Sequence, residues 1–145
     1  MNTFNQSLSF AARRLAPAMV GLLFLVAGYN KIGGFDHVAG WMAASGLPAA
    51  SLLLVLTIAL EIGAGLMLIV GFRTRWAALA LAAFLVPTTV IFHGFWSAEA
   101  TQVQEQLTAF LKNLAILGAT LMIAAQPQAA TANAPTGVRP AAGIA

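Results

Sequence analysis

Residues 49–72, AASLLLVLTIALEIGAGLMLIVGF, hold one ionisable side chain, Glu61, close to their midpoint. A run this long and this apolar can cross a bilayer as a helix, which takes about 20 residues at roughly 1.5 Å each. A carboxylate at that depth costs roughly 2.5–3.5 kcal/mol on insertion scales, so an intramembrane glutamate marks a candidate functional site. The rest of the chain is then expected to supply further spans and polar partners for Glu61.

Three other apolar segments lie outward from this one. Leu15–Tyr29 follows Arg13 and Arg14 and reaches about Lys31 by snorkelling; Trp76–Phe92 can continue to Trp96; Leu107–Ala125 carries Lys112 and Asn113 in its first half. The first is short for a span unless its helix begins upstream of Arg13, near Phe10. Its form also fits a secretion signal cleaved after Gly28, but a retained helix is the simpler reading. Composition agrees with a membrane domain: 60% of residues are hydrophobic and 8% charged, against about 25% charged in soluble domains. Mean hydropathy is +0.86. The net charge of +3 is spread too thinly for a nucleic-acid footprint, which needs a clustered basic face. With no cysteine, thiol–disulfide relay and zinc–thiolate sites are excluded. One histidine and one buried carboxylate are too few for a metal site.

The short link Arg73-Thr74-Arg75 leaves room only for an antiparallel helical hairpin between the second and third segments. An all-α, up-down-up-down four-helix transmembrane bundle over residues 13–125 is therefore expected. Residues 1–12 form a polar N-terminal segment, and residues 126–145, rich in Ala, Pro, Gly, Thr and Asn, read as a disordered tail. With both termini cytoplasmic, Arg13, Arg14, Arg73, Arg75 and Arg139 lie inside, as short-loop basic residues prefer. Between the first two spans, Gly33-Gly34 is a break, Asp36 an N-cap and Gly46 with Pro48 a stop. Val38, Trp41 and Met42 then share one face of a short helix at the outer interface, with Trp41 as its anchor. Ala59 and Gly63 have the small-xxx-small spacing that lets helices approach closely. Pro87 frees the carbonyl of Ala83, and Thr88 and Thr89 stand ready to satisfy the loosened backbone.

In this topology the polar residues gather in the outer half of the bundle. Asn30 and Lys31 end the first span, Thr57 precedes Glu61 by one turn, His93 ends the third span, and Lys112 with Asn113 opens the fourth. A cluster of carboxylate, ammonium, imidazole and carboxamide neutralises itself if its members face one another. Plainer readings stand beside this one. Lys31 and Lys112 can snorkel, His93 can rest at the interface between Phe92 and Trp96, and Glu61 can form a purely structural ion pair that holds helices in register.

The motifs Asn30-Lys31-Ile32-Gly33-Gly34-Phe35-Asp36, Leu60-Glu61-Ile62-Gly63-Ala64-Gly65 and Val70-Gly71-Phe72-Arg73-Thr74-Arg75, followed by His93 and by Phe110-Leu111-Lys112-Asn113-Leu114, stand in that order. Together they resemble the DoxX family of bacterial membrane proteins over about residues 13–125. The resemblance implies a four-helix inner-membrane protein with site positions at Lys31, Glu61, His93, Lys112 and Asn113. Members of that family include a membrane subunit of a thiosulfate:quinone oxidoreductase and components tied to oxidative or quinone stress. Subunit-level activity does not transfer from the fold, and a quinone-linked redox role is the first hypothesis, with His93 or Lys112 donating to a quinone carbonyl and Glu61 exchanging protons. Because one fold hosts many functions, two alternatives stay open: a small-solute carrier or binding protein, and a non-enzymatic scaffold subunit. The partners to expect are the lipid bilayer, a small hydrophobic ligand or soluble redox partner, and a second copy of the chain.

Overall fold

The computed structural model describes residues 3–127, with side chains from Ala11 onward, and these residues are almost entirely helical. The elements are α1 (Thr3–Gly33), α2 (Phe35–Ala44), α3 (Ala50–Val70), α4 (Thr74–Phe92), a 3-10 turn at Phe95–Ser97, and α5 (Val103–Ala125). Among the described residues, four stretches are long and apolar enough to cross a membrane: Ala11–Gly33, Ala50–Val70, Thr74–Ser97 and Val103–Ala125. The first reaches spanning length because its helix starts well upstream of Arg13. Residues 3–12 are helix continuous with the first span. The last helix begins at Val103, four residues before the expected Leu107. Its polar first turns hide it from hydropathy, yet Glu105 there favours the helix N-terminus electrostatically. Apart from Gln126 and Pro127, the expected disordered tail lies outside the described residues.

The most extensive pairings are α1 with α3 and α4 with α5; α3 also meets α4, and α5 touches α1. One core joins all four spans, with Phe24 from α1, Leu68 from α3, Leu81 and Leu85 from α4, and Ile123 from α5. The outer surface is the reverse of a soluble protein's, with Met19, Leu52, Val70 and Met122 exposed. Such a surface suits acyl chains, and the helical backbone satisfies its own polar groups.

The α1–α3 crossing is set by Gly21 and Gly65. A Cβ at Gly65 would stand 2.8 Å from the Gly21 carbonyl oxygen, and one at Gly21 would stand 2.5 Å from that of Gly65. Backbone therefore lies on backbone. The expected Ala59/Gly63 pair does not make this contact: both residues are exposed, and a Cβ at Gly63 would meet nothing within 4 Å. Because Gly21 meets Gly65 while Gly28 meets Glu61 and Ile62, α1 and α3 run in opposite directions.

The short helix α2 begins after Gly34, so Asp36 lies in its first turn and is not its N-cap. Met42 packs with Ala50 and Leu54, and Trp41 stacks against Phe92 of α4 with ring centroids 4.5 Å apart. Next to the proline, the Thr88 hydroxyl donates to the Phe84 carbonyl at 2.8 Å, one residue along from the expected Ala83. Ala49, the residue before α3, adopts φ 48 and ψ 44, a left-handed conformation. That region costs an L-residue roughly 1–2 kcal/mol, more than the extra chain entropy of about 0.5–1 kcal/mol that glycine brings. Ala49→Gly is expected to raise the thermal unfolding midpoint in detergent by a few degrees; a lower midpoint would show that Ala49 is not strained.

Candidate functional site

Glu61 is placed by helix periodicity. Leu54, Glu61, Ala64, Gly65 and Leu68 are the buried positions along one stripe of α3, so the carboxylate points into the bundle with them. Facing it, Gly28 of α1 has no side chain to hold the helices apart; a Cβ there would lie 2.8 Å from Ile62 Cγ1 and 3.3 Å from Glu61 Cβ. One turn beyond Gly28, Lys31 extends back along its own helix, the direction in which helical side chains tilt. Its Nζ donates to both carboxylate oxygens, at 2.9 Å to Oε1 and 2.8 Å to Oε2, and lies 3.5 Å from the Ala27 carbonyl oxygen. The pair is lopsided in exposure, with the Lys31 side chain 27% exposed and that of Glu61 5%.

Beside this ion pair lies a slot of about 460 Å³, within the usual range of small-molecule pockets of roughly 300–1,000 Å³. Leu53, Leu56, Thr57, Leu60 and Glu61 form its α3 wall, and Phe84, Pro87, Thr88 and Ile91 its α4 wall. Both sets follow helical spacing along one face, and the α3 set spans roughly 12 Å at 1.5 Å per residue. Val38, Trp41 and Met42 of α2 cover one side. Leu56 (57% exposed) and Ile91 (45%) are at once wall and outer surface, so the slot opens on the face of the spans.

The slot is apolar except at a few points. Glu61 and Lys31 hold one end. Thr57 has a hydroxyl with no partner among the described residues, whereas that of Thr88 is committed to its own helix. His93 also lines the slot, and its Nδ1 lies 3.1 Å from Gln106 Oε1 on α5. With the amide oxygen accepting, Nδ1 is the donor, and in that tautomer of the imidazole Nε2 is the acceptor.

The structure thus brings Glu61, Lys31, Thr57 and His93 to one slot and leaves Asn30, Lys112 and Asn113 out of it. Asn30 is exposed at the end of α1, Lys112 is exposed on α5, and Asn113 is half-buried there. The reason is the order of packing: the slot lies between α3 and α4, and α5, docked on α4, gives it no lining residue. Lys112 is therefore not among the groups that line this slot. Gln106 carries no signal in the apolar pattern. Its spacing of four and seven residues from Phe110 and Asn113 places it on the same helix face, which is the one sequence feature that points to it.

Comparison with known proteins places this arrangement. The DoxX family profile matches residues 14–94. Inner membrane protein YphA of Escherichia coli (strain K12) is 32% identical over 110 residues, covering 76% of this chain and 79% of its own. Inner membrane protein YqjF of the same organism is 36% identical over 110 residues, with the same coverage. No solved structure matches.

Proposed function

The chain belongs to the DoxX family and is a multi-pass inner-membrane protein, and we propose that it is a quinone-linked membrane subunit whose slot holds the quinone head group. The observation that carries this reading is the slot itself, with apolar walls, an ion pair at one end and an imidazole among its lining groups. A quinone needs hydrogen-bond donors at its carbonyl oxygens and apolar surface around its ring. Lys31 gives two of its three N–H donors to Glu61 and turns the third toward the Ala27 carbonyl oxygen, a long 3.5 Å contact that a ligand oxygen can replace, and the Thr57 hydroxyl has no partner among the described residues. Those two groups would hold a carbonyl oxygen. Glu61, with both oxygens on one ammonium, is the group that can take up or release a proton beside it. His93 Nε2 can accept from a hydroxyl. A quinone supplies two-electron, two-proton chemistry when bound; a cysteine-free chain receives the electrons from a partner or a soluble donor.

Orientation belongs to the same proposal. The four spans alternate across the membrane with both termini in the cytoplasm, and α2 lies at the outer interface. Supporting this, Arg14 Nη1 rests against Gly71, 3.4 Å from where its Cβ would be, so Arg13 and Arg14 share one end of the bundle with Arg73 and Arg75.

The test is extraction of quinone from protein purified in mild detergent. Wild type is expected to carry quinone near one per chain. Glu61→Gln should lose most of it, because a neutral amide releases the Lys31 ammonium from its fixed position. Quinone-free wild type, with membrane quinone reduction unchanged by deletion of the protein, would refute the proposal.

A further inference from the structure

Among the described residues, the end of the bundle opposite α2 carries four arginines and no carboxylate. Arg13 and Arg14 lie on α1, Arg73 in the α3–α4 link, and Arg75 in the first turn of α4, all exposed. Every acidic side chain of the protein lies elsewhere: Asp36 on α2, Glu61 mid-span, and Glu99 and Glu105 between α4 and α5 or at the start of α5. Among the described residues none of these arginines is ion-paired; the salt bridge there is Lys31 with Glu61.

The arginines are also held. Arg14 packs on Gly71 at the α3 C-terminus, where the helix dipole attracts a cation. The Arg73 guanidinium lies over the Phe72 ring, 5.5 Å from its centroid, on a backbone in the left-handed region at φ 44. Just below them an apolar belt is open: Leu15, Phe72 (57% exposed) and Trp76 (66% exposed). Positive charge above exposed apolar and aromatic surface matches a molecule with an anionic head and acyl chains.

We infer that this end of the bundle binds an anionic phospholipid, its phosphate held between Arg14 and Arg73 and its chains lying against Leu15, Phe72 and Trp76. Guanidinium forks suit phosphate oxygens, and two of them on different elements can clamp one headgroup. The belt distinguishes a lipid from free phosphate, which would gain nothing from it. A headgroup here also bridges α1 to the α3–α4 link, and so steadies the helix pair that carries Lys31 and Glu61.

The experiment uses the full chain in mild detergent, offered phosphatidylglycerol and phosphatidylcholine together and read by native mass spectrometry. Phosphatidylglycerol should be retained about tenfold or more over phosphatidylcholine. Arg14→Gln with Arg73→Gln should weaken that retention roughly 10- to 30-fold, at about 1 kcal/mol per arginine. Lys112→Gln, which removes a positive charge from α5 away from this end, should leave it unchanged. Equal retention of the two lipids, an arginine variant that retains phosphatidylglycerol like wild type, or displacement by glycerol phosphate at equal concentration would overturn the inference. If the arginine variant does not fold, wild type decides: the thermal shift given by phosphatidylglycerol must shrink as salt rises, and a salt-independent shift overturns it.

Discussion

Lys31→Met is expected to destabilise the protein more than Glu61→Gln, although both remove one half of the same ion pair. Glu61 is 4% exposed, and its hydrogen bonds come from Lys31 alone among the described residues. Without the ammonium, a carboxylate is stranded in the bundle, and breaking a buried pair from one side costs roughly 3–5 kcal/mol. Lys31 is in a different position. It lies two residues before the end of α1, with a partly exposed side chain, and can swing toward the interface when its partner is neutralised. Glu61→Gln should therefore cost about 1–2 kcal/mol, the scale of one lost charged hydrogen bond. The double variant Lys31→Met, Glu61→Leu should recover most of the loss, because apolar replacement of a buried pair is often neutral or stabilising. Thermal midpoints of the three variants in one detergent check the ranking. Equal losses for the two single variants would mean that the carboxylate finds water or another partner once Lys31 is gone.

Gly65→Leu should be strongly damaging although it lies away from the ion pair. At Gly65 the obstacles are the Gly21 carbonyl oxygen at 2.8 Å and the Leu25 amide nitrogen at 3.1 Å, both backbone, which no rotamer change can relieve. Overpacking typically costs about 1–3 kcal/mol, and here α1 and α3 must move apart, so the loss should reach or exceed the top of that range. Glu61 lies one turn from Gly65 on the same stripe, so the separation also stretches the Lys31–Glu61 contact and should lower any ligand retained in the slot. Gly63→Ala provides the control. Nothing lies within 4 Å of a Cβ there, and alanine favours the helix by up to about 1 kcal/mol. Midpoints that fall by the same amount in both variants would show that the helices do not cross at Gly65.

Much of this was legible in the residues. Glu61 stands out because nothing else in its 24-residue run is ionisable, and a lone acid in a span needs a base. The hydropathy pattern marks all four spans, and Arg73-Thr74-Arg75 leaves no length for anything but a turn. What periodicity cannot convey is which helix lies beside which. Lys31 and Lys112 look alike in sequence, each a lysine near the same end of a span, yet α1 faces α3 while α5 is separated from the slot by α4. The same limit applies to the glycines. Ala59/Gly63 has the familiar spacing within one helix, but the contact is made by Gly21 and Gly65, one from each helix, and their pairing exists only in three dimensions. Helix ends are hidden for another reason. The first turns of α5 are polar, so an apolar window starts four residues late.

The walls formed by Leu56 and Ile91 have a consequence for how occupancy must be measured. Because these residues lie within the spans and are exposed, a solute bound in the slot is expected to enter by first dissolving among the acyl chains and then moving sideways. Its relevant concentration is its mole fraction in the membrane, not its molarity in buffer. Diluting vesicles at fixed solute-to-lipid ratio should leave the bound fraction of a strongly partitioning compound constant, while adding empty vesicles at fixed total solute should strip it.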